Sequence, residues 1–466
     1  MSQSINSAGL AAKIRSFLPF EPHLQQAALI EALAMYVCRR APRDIFLLNG
    51  YAGSGKTSVM AALIKALDSV GMKSVTLAPT GRAAKVAADF SGGKASTVHK
   101  RIFRPASSEP GAPYVLAPSH DRDTLFIVDE ASLITDSPVA SQSLLMQLLR
   151  HVDSAPGNSI ILVGDIAQLP PVGMTTAPAM NPDRLKALGM NPVKFTLDIP
   201  MRQEDGSGVL YNATRMRQLL FSKDPALTAE LLVAGFDDVE VISSADLADR
   251  MSDSWSNVGQ DNTIIITRSN SRANRYNQAI RNIVMMADGP LQRGDRLVIA
   301  KNDYYWSKIN KVKNFIANGD MAEVKWVGKT EKMYGRFFSE VELYFPSSDM
   351  QIGATLMLRS LMTDGPSIPR EEMDRFYTNV LAAQEGVASE RIKAVMEDPY
   401  YNALQAKYGY CITCHKAQGG QWRHVYIDMS GIDPSALDES FYRWFYTAIT
   451  RTTEKVFLIN PTLPVS

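Results

Sequence analysis

Cysteine is scarce in this chain, with Cys38, Cys411 and Cys414 the only three in 466 residues. That excludes a disulfide framework and fits a reducing compartment. The pattern Cys411-Ile-Thr-Cys414-His415 matches c-type haem attachment. It comes without an export signal, and the other His and Cys residues supply no second zinc-ligand pair at workable spacing. No apolar run approaches the ~18 residues of a membrane span, and Met1 to Leu18 carries no basic-then-apolar leader. The expectation is a soluble, cytoplasmic protein without membrane contact. Charge of one sign is missing too: 49 Lys+Arg against 48 Asp+Glu leave a formal +1. A histone-like coating role is thereby excluded, and a nucleic-acid partner would have to be met by local basic patches. Internal repeats and low-complexity tracts are absent, and the length suggests roughly three domains at ~150 residues each.

What is present begins with Gly50-Tyr51-Ala52-Gly53-Ser54-Gly55-Lys56-Thr57. It follows the apolar run Ile45-Phe-Leu-Leu48 and precedes a helical pattern from Val59 to Leu67, so it reads as strand, phosphate loop and helix. Glycines at 50, 53 and 55 let backbone N–H groups turn around phosphate oxygens, helped by the positive end of the helix dipole. Lys56 reaches the β/γ-phosphates and Thr57 ligates Mg²⁺. The alternative, a chance glycine turn, does not explain the full pattern in this context.

Other strands follow with polar ends. Ser74 to Thr80 leads into a basic helix from Gly81. Leu125-Phe-Ile-Val128 ends in Asp129-Glu130, and Ser159 to Val163 ends in Gly164-Asp165, followed by Gln168-Leu-Pro-Pro171. Strands alternating with helices describe an α/β protein with an open parallel sheet that binds ligand along its carboxyl edge. Asp129 is suited to hold Mg²⁺, Glu130 to orient and polarise a water, and Gln168 to sense a γ-phosphate. Alone, an acidic strand end or a loop glutamine would mean little; beside a phosphate loop they form a catalytic set.

In this order the motifs resemble those of superfamily 1B DNA helicases of the Dda/RecD-like group, over most of the chain. Gln25 in Pro22-His-Leu-Gln25 resembles the adenine-reading Q motif. Gly50 to Thr57, together with Ser58, resembles motif I, Ala78-Pro79-Thr80 motif Ia, and Thr97-Val-His99 the segment after it. Asp129-Glu130-Ala131-Ser132 resembles motif II and Gly164 to Pro171 motif III. Arg202 lies in a segment that supplies an arginine to the γ-phosphate. Thr413-Cys-His415-Lys416-Ala-Gln418-Gly419 resembles motif V and Tyr446 to Arg451 motif VI.

The resemblance implies two RecA-like parallel-sheet motor domains with one ATP between them, and arginine fingers at Arg202 and Arg451. It implies domain 1A over 1–95 and 122–205, a β-hairpin pin 1B over 96–121, and domain 2A over 206–290 and 407–466. An SH3-like β-barrel 2B with a helical tower falls over 291–406. Gln418 and Gly419 are expected at the nucleotide. Pro79, Thr80, Arg82, Thr97, His99, Phe103, Tyr114, Arg268, Asn270, Thr413, His415 and Lys416 are expected on nucleic acid.

The residues themselves add a basic stretch from Gly81 to Ser108, and Arg268, Arg272 and Arg275 at helical spacing; an ordinary solvated face accounts for the latter equally well. Between Leu291 and Phe345 the periodicity turns to two, with Asn318-Gly319 read as a hairpin turn. Pro369 to Ala406 reads as charged helix, a tower that could pack on the pin. The activity implied is ATP- and Mg²⁺-dependent 5′→3′ unwinding by a monomer on single-stranded DNA and single/double-strand junctions. A single-stranded-DNA-binding protein is a further candidate partner. The alternatives are a DNA-stimulated ATPase that remodels protein–DNA complexes, a RecD-like subunit of a nuclease complex, a P-loop small-molecule kinase and a non-enzymatic binding module.

Overall fold

The computed structural model describes the chain except for residues 1–4, 40, 94, 107–113, 200–205, 223–226 and 313–314. Arg202 therefore lies outside the described residues, as does the tip of the 103–116 hairpin.

Two parallel sheets dominate. The first has six strands, ordered Ala95–Thr97, Lys73–Ala78, Thr124–Val128, Ser159–Gly164, Asp44–Gly50 and Asn191–Leu197. Asp44–Gly50 pairs in parallel on both sides, with Ser159–Gly164 and with Asn191–Leu197. That explains its unbroken apolar run: a strand flanked on both edges and covered on both faces has no polar side. Phe46 and Leu48 enter one core with Leu29, Leu33, Leu63 and Leu67, while Ile45 and Leu47 enter another with Leu145 and Leu148. Full burial of such a side chain stabilises by about 1.5–3 kcal/mol. Because the strands are parallel, Gly50, Ala78, Val128, Gly164 and Leu197 end at one edge.

The second sheet has five parallel strands, ordered Cys411–Thr413, Thr263–Thr267, Trp422–Asp428, Thr452–Ile459 and Val239–Ile242. Between its strands 263–267 and 411–413 sits an insertion. Its sheet is antiparallel, ordered Met350–Met357, Arg336–Phe345, Met321–Met333, Arg296–Ile299 and Ala406–Tyr408. Hydrogen bonds Met357 N–H to Leu404 O (3.0 Å) and Leu404 N–H to Thr355 O (2.8 Å) join its first strand to the segment just before its last, closing a small ring. Leu297, Val324 and Leu343 of the insertion share one core with Ile265, Tyr426 and Phe457 of the second sheet.

One local expectation is corrected. The tight turn lies at Tyr334-Gly335, both at positive φ, joining Met321–Met333 to Arg336–Phe345. Asn318-Gly319 instead ends a longer connection from Arg296–Ile299 that includes the helix Tyr305–Ile309. The charged stretch forms helices Arg370–Ala382 and Ala388–Glu397, whose Phe376, Val380 and Val395 pack on Phe338 of the ring. The hairpin Phe103–Pro105/Tyr114–Leu116 meets the insertion through Tyr114, whose ring lies 5.1 Å from Tyr304.

Candidate active site and nucleic-acid interface

The loop after Gly50 is built as its sequence requires. Gly53 and Gly55 hold φ of 74° and 82°, which a side chain would oppose. A Cβ on Gly50 would lie 2.5 Å from Lys56 Cγ. Gly55 precedes the helix Lys56–Ser69, which directs the free N–H groups of that helix into the loop. The Lys56 ammonium donates to the carbonyls of Gly50 and Tyr51, the latter at 3.0 Å. Thr57 is exposed at the helix start and Ser58 follows on its first turn.

Asp129 follows the strand Thr124–Val128, which Ser159–Gly164 separates from Asp44–Gly50, and accepts the Glu130 N–H at 2.9 Å. Burial, and then the Glu130 charge, push its carboxyl above the usual carboxylate range; Lys56 pulls it back. Glu130 sits at φ 51°, a strained conformation for a long side chain. Gln168 is buried, and its Oε1 has no hydrogen-bond partner among the described residues; the same holds for Ser54 Oγ and Ser132 Oγ. Buried polar atoms without partners at a phosphate loop are donors and acceptors in reserve. Among the described residues no three His, Cys, Asp or Glu cluster as a metal cage. Asp129, with Thr57 at the helix start, fits a Mg²⁺ that takes its other ligands from phosphates and water.

Gln25 is fixed at the edge of this site. Its amide donates to Asp198 Oδ1, and its Oε1 accepts the N–H groups of Asp198 and Ile199, both at 3.3 Å. Gln26, which sequence reasoning missed, is fully buried and donates to Ser54 O at 3.2 Å. A helix that shows the motif's glutamine to the edge turns its neighbour beneath the loop.

The second sheet reaches this site through the helix Glu439–Ile449. Asp438 caps it by accepting the Phe441 N–H at 2.8 Å. Phe441, Trp444, Phe445 and Ala448 enter a core that Tyr446 shares with Ala167 and Leu169 of the first lobe, and Arg443, Tyr446 and Thr447 bond to that lobe. Arg443 donates to the carbonyls of Ile166 and Gln168. The Tyr446 hydroxyl accepts the Ala52 N–H at 2.8 Å and donates to Asp165 Oδ2 at 2.7 Å. Thr447 Oγ1 accepts the Leu169 N–H at 2.8 Å, and Gln418 donates to Leu169 O at 2.7 Å. The loop after Gly164 is thus held from both sides by residues about 250–280 positions away. Nothing local in the sequence announces Arg443 or Thr447.

Other nominated residues stand elsewhere. The Arg451 guanidinium is buried and turned onto its own lobe, donating to Thr447 O (3.0 Å), Gly420 O (3.4 Å) and Thr450 Oγ1 (3.2 Å). Gly419, at φ 72°, lies so close to the first lobe that its Cβ would meet Ala83 Cβ at 3.0 Å. Arg82 rests its guanidinium 3.8 Å above Trp422. The arginine stripe is dismantled: Arg272 pairs with Asp428, its Nη2 at 2.8 Å, leaving Arg268 and Arg275 exposed.

Pro79 and Thr80 precede the helix Gly81–Phe90, which Thr80 caps, and Thr97 caps the short helix carrying His99. His99, Phe103 and Tyr114 line one large cavity of about 1400 Å³ with Tyr304, Tyr305 and Phe315 of the insertion. At the carboxyl edge of the second sheet, Thr267 and Thr413 are in register, which gathers Arg268, Asn270, Thr413, His415 and Lys416. The Lys416 ammonium has no partner among the described residues, and burial lowers its pKa to about 8. Cys411 and Cys414 are core thiols whose pKa burial raises, Cys414 to about 12.

Residues 24–193 match the AAA domain family, and residues 408–459 match the UvrD-like helicase C-terminal domain. The ATP-dependent RecD2 DNA helicase of Deinococcus radiodurans is 34% identical over 157 residues, 32% of this chain and 19% of that protein. The ATP-dependent DNA helicase dda of Enterobacteria phage T4 is 33% identical over 129 residues, 27% of this chain and 28% of that protein. The matched regions therefore span less than a third of either relative. A crystal structure of Pif1 helicase from Bacteroides in complex with ADP-AlF3 and ssDNA gives a TM-score of 0.49 at 15% identity, covering 94% of this chain and 92% of that one. Among the described residues no helix is long and apolar enough to cross a membrane.

Proposed function

We propose that this chain, a homologue of the superfamily 1 helicases RecD2 and Dda, is an ATP-dependent 5′→3′ DNA helicase that moves on single-stranded DNA and opens duplex ahead of it. The observation that carries the reading is the seam itself: helix Glu439–Ile449 of the second lobe hydrogen-bonds to the phosphate loop and to the loop after Gly164 of the first. A small-molecule kinase has no use for a second parallel-sheet lobe gripping its phosphate loop, whereas a motor must convert a change at that loop into relative movement of two bodies.

In this reading Lys56 and the N–H groups of 53–57 hold the phosphates, and Gln25 meets the adenine. Thr57 and Asp129 hold Mg²⁺, which supplies charge neutralisation at the phosphates when bound. Glu130 orients and takes a proton from the attacking water, and Gln168 lies within the loop that the second lobe grips. Arg451, and Arg202 outside the described residues, turn to the γ-phosphate when nucleotide binds. The insertion is read as an SH3-like domain 2B with its tower, and 96–121 as the pin 1B. Pro79, Thr80, Thr97 and His99 on the first lobe and Arg268, Asn270, Thr413, His415 and Lys416 on the second form the track, with Phe103 and Tyr114 at the junction.

The test pairs ATP hydrolysis, with and without single-stranded DNA, with displacement of 5′- and 3′-tailed duplexes, using Lys56→Ala as control. Stimulated hydrolysis with unwinding of the 5′-tailed substrate alone is expected. DNA-stimulated hydrolysis without unwinding of either would leave a remodelling ATPase, and hydrolysis indifferent to DNA would overturn the motor reading.

A further inference from the structure

Tyr446 is enclosed at the seam, 2% exposed. Its hydroxyl has one bond to each of two first-lobe elements: the Ala52 N–H in the phosphate loop at 2.8 Å and the Asp165 carboxylate at 2.7 Å. Asp165 is itself buried, and its other oxygen accepts the Ala167 N–H at 2.9 Å. Burial and the charge of Asp165 push the phenol pKa far up, so the proton stays on Tyr446 and the carboxylate accepts it.

When the lobes stand together, water is excluded, and the Ala52 N–H and the Asp165 oxygen are satisfied by this hydroxyl. When the lobes part, water reaches both groups. The hydroxyl therefore contributes to one arrangement and nothing to the other, which is the condition for shifting an equilibrium between them. Its loss would leave the part-buried Ala52 N–H and the buried Asp165 oxygen without this partner only in the closed form.

We propose that Tyr446 is a closure latch: a positioning residue that does not touch the nucleotide but sets the fraction of protein with its lobes together, and hence the apparent affinity for ATP. The proposal rests on the reading that ATP binds between the lobes. It separates Tyr446 from Arg451, which lies five residues on and faces its own lobe.

The experiment measures ATP hydrolysis in the presence of single-stranded DNA for the wild type and Tyr446→Phe, which keeps the ring and removes the hydroxyl. The KM for ATP is expected to rise at least about tenfold while kcat stays within about twofold, because saturating nucleotide restores closure by mass action. Titration of the non-hydrolysable adenylyl imidodiphosphate should give the same ratio without relying on turnover. Thr447→Val, which removes the acceptor of the Leu169 N–H from the same helix face, should show the same pattern more weakly. An unchanged KM and unchanged analogue affinity in Tyr446→Phe overturn the latch. So does a fall in kcat at unchanged KM, which would put the hydroxyl in the chemical step. Should Tyr446→Phe fail to fold by circular dichroism, Thr447→Val decides, and wild-type affinity there overturns the proposal. A wild type that binds the analogue yet never hydrolyses ATP would sink the helicase reading and leave the latch standing.

Discussion

The two parallel sheets end in opposite ways. At the carboxyl edge of the first, the chain presents backbone: glycines at positive φ, a helix N-terminus, and a lysine folded across its own loop. At the same edge of the second it presents side chains, Arg268, Asn270, Thr413 and Lys416. The second lobe reaches the nucleotide site from elsewhere, by the flank of helix Glu439–Ile449. One architecture thus serves two tasks. Backbone N–H groups suit a triphosphate, which must be surrounded; separated cations suit a polyanionic strand, which must be held and released.

The sharpest way to break this comparison is to remove the second lobe's charge from the site. Arg451→Ala should lower ATP turnover by about 10³-fold or more if its guanidinium swings to the phosphates when nucleotide binds. Its present bonds, to the carbonyls of Thr447 and Gly420, are of the kind a side chain exchanges readily. A loss below about tenfold by phosphate release would mean that Arg451 only braces its own lobe, and that the first lobe performs the chemistry alone.

The first lobe's half is tested by Gly50→Ala. The added methyl would lie 2.5 Å from Lys56 Cγ and 2.9 Å from Ser54 Oγ, so the lysine must move. A displacement of this kind costs on the order of 10²-fold in turnover, with the fold intact by circular dichroism. A variant as active as the wild type would show that the loop's backbone adapts and that the close packing is incidental.

Which parts could be read without coordinates follows from the same difference. The phosphate loop, Asp129 and the strand cores were legible because each is a short stretch whose residue types answer to its own backbone. Gln26, Arg443 and Thr447 were not, since each is defined by a partner across the fold; Thr447 and Leu169 are 278 residues apart. The arginines at 268, 272 and 275 had the right spacing for a track, but spacing cannot reveal that Asp428 takes one of them. Asn318-Gly319 is the strongest short turn signal in its region, yet the tight hairpin formed at Tyr334-Gly335, where strands of 13 and 10 residues pair at eight positions. Long-range pairing outweighed local turn preference.

The side-chain edge of the second sheet is sharpened by pH. Burial lowers the Lys416 pKa from 10.5 to about 8, so the charged fraction falls as pH rises through that value. If this ammonium meets a backbone phosphate, single-stranded DNA affinity should decline between pH 7 and 9, and Lys416→Gln should flatten that decline. The same variant should reduce the slope of log affinity against log salt by about 0.7. A pH profile identical in the two proteins would remove Lys416 from the track.

The smallest effect expected concerns Arg82, which crosses between the regions compared. It belongs to the first lobe, but lies 3.8 Å over Trp422 of the second, and a Cβ on Gly420 would meet its Nε at 2.5 Å. Burial and the like charges of Arg296 and Arg451 disfavour its protonated form, yet a guanidinium does not give up its proton in a protein. The indole face is what offsets that cost, by about 0.5–2 kcal/mol. Arg82→Met keeps the stem and removes the charge. A double-mutant cycle with Trp422→Leu, read in thermal midpoint, should return a coupling of that size, with the salt slope of DNA binding unchanged. A slope reduced by about 0.7 with no coupling to Trp422 would make Arg82 a phosphate contact instead, joining Thr80 and Thr97 on the first lobe's part of the track.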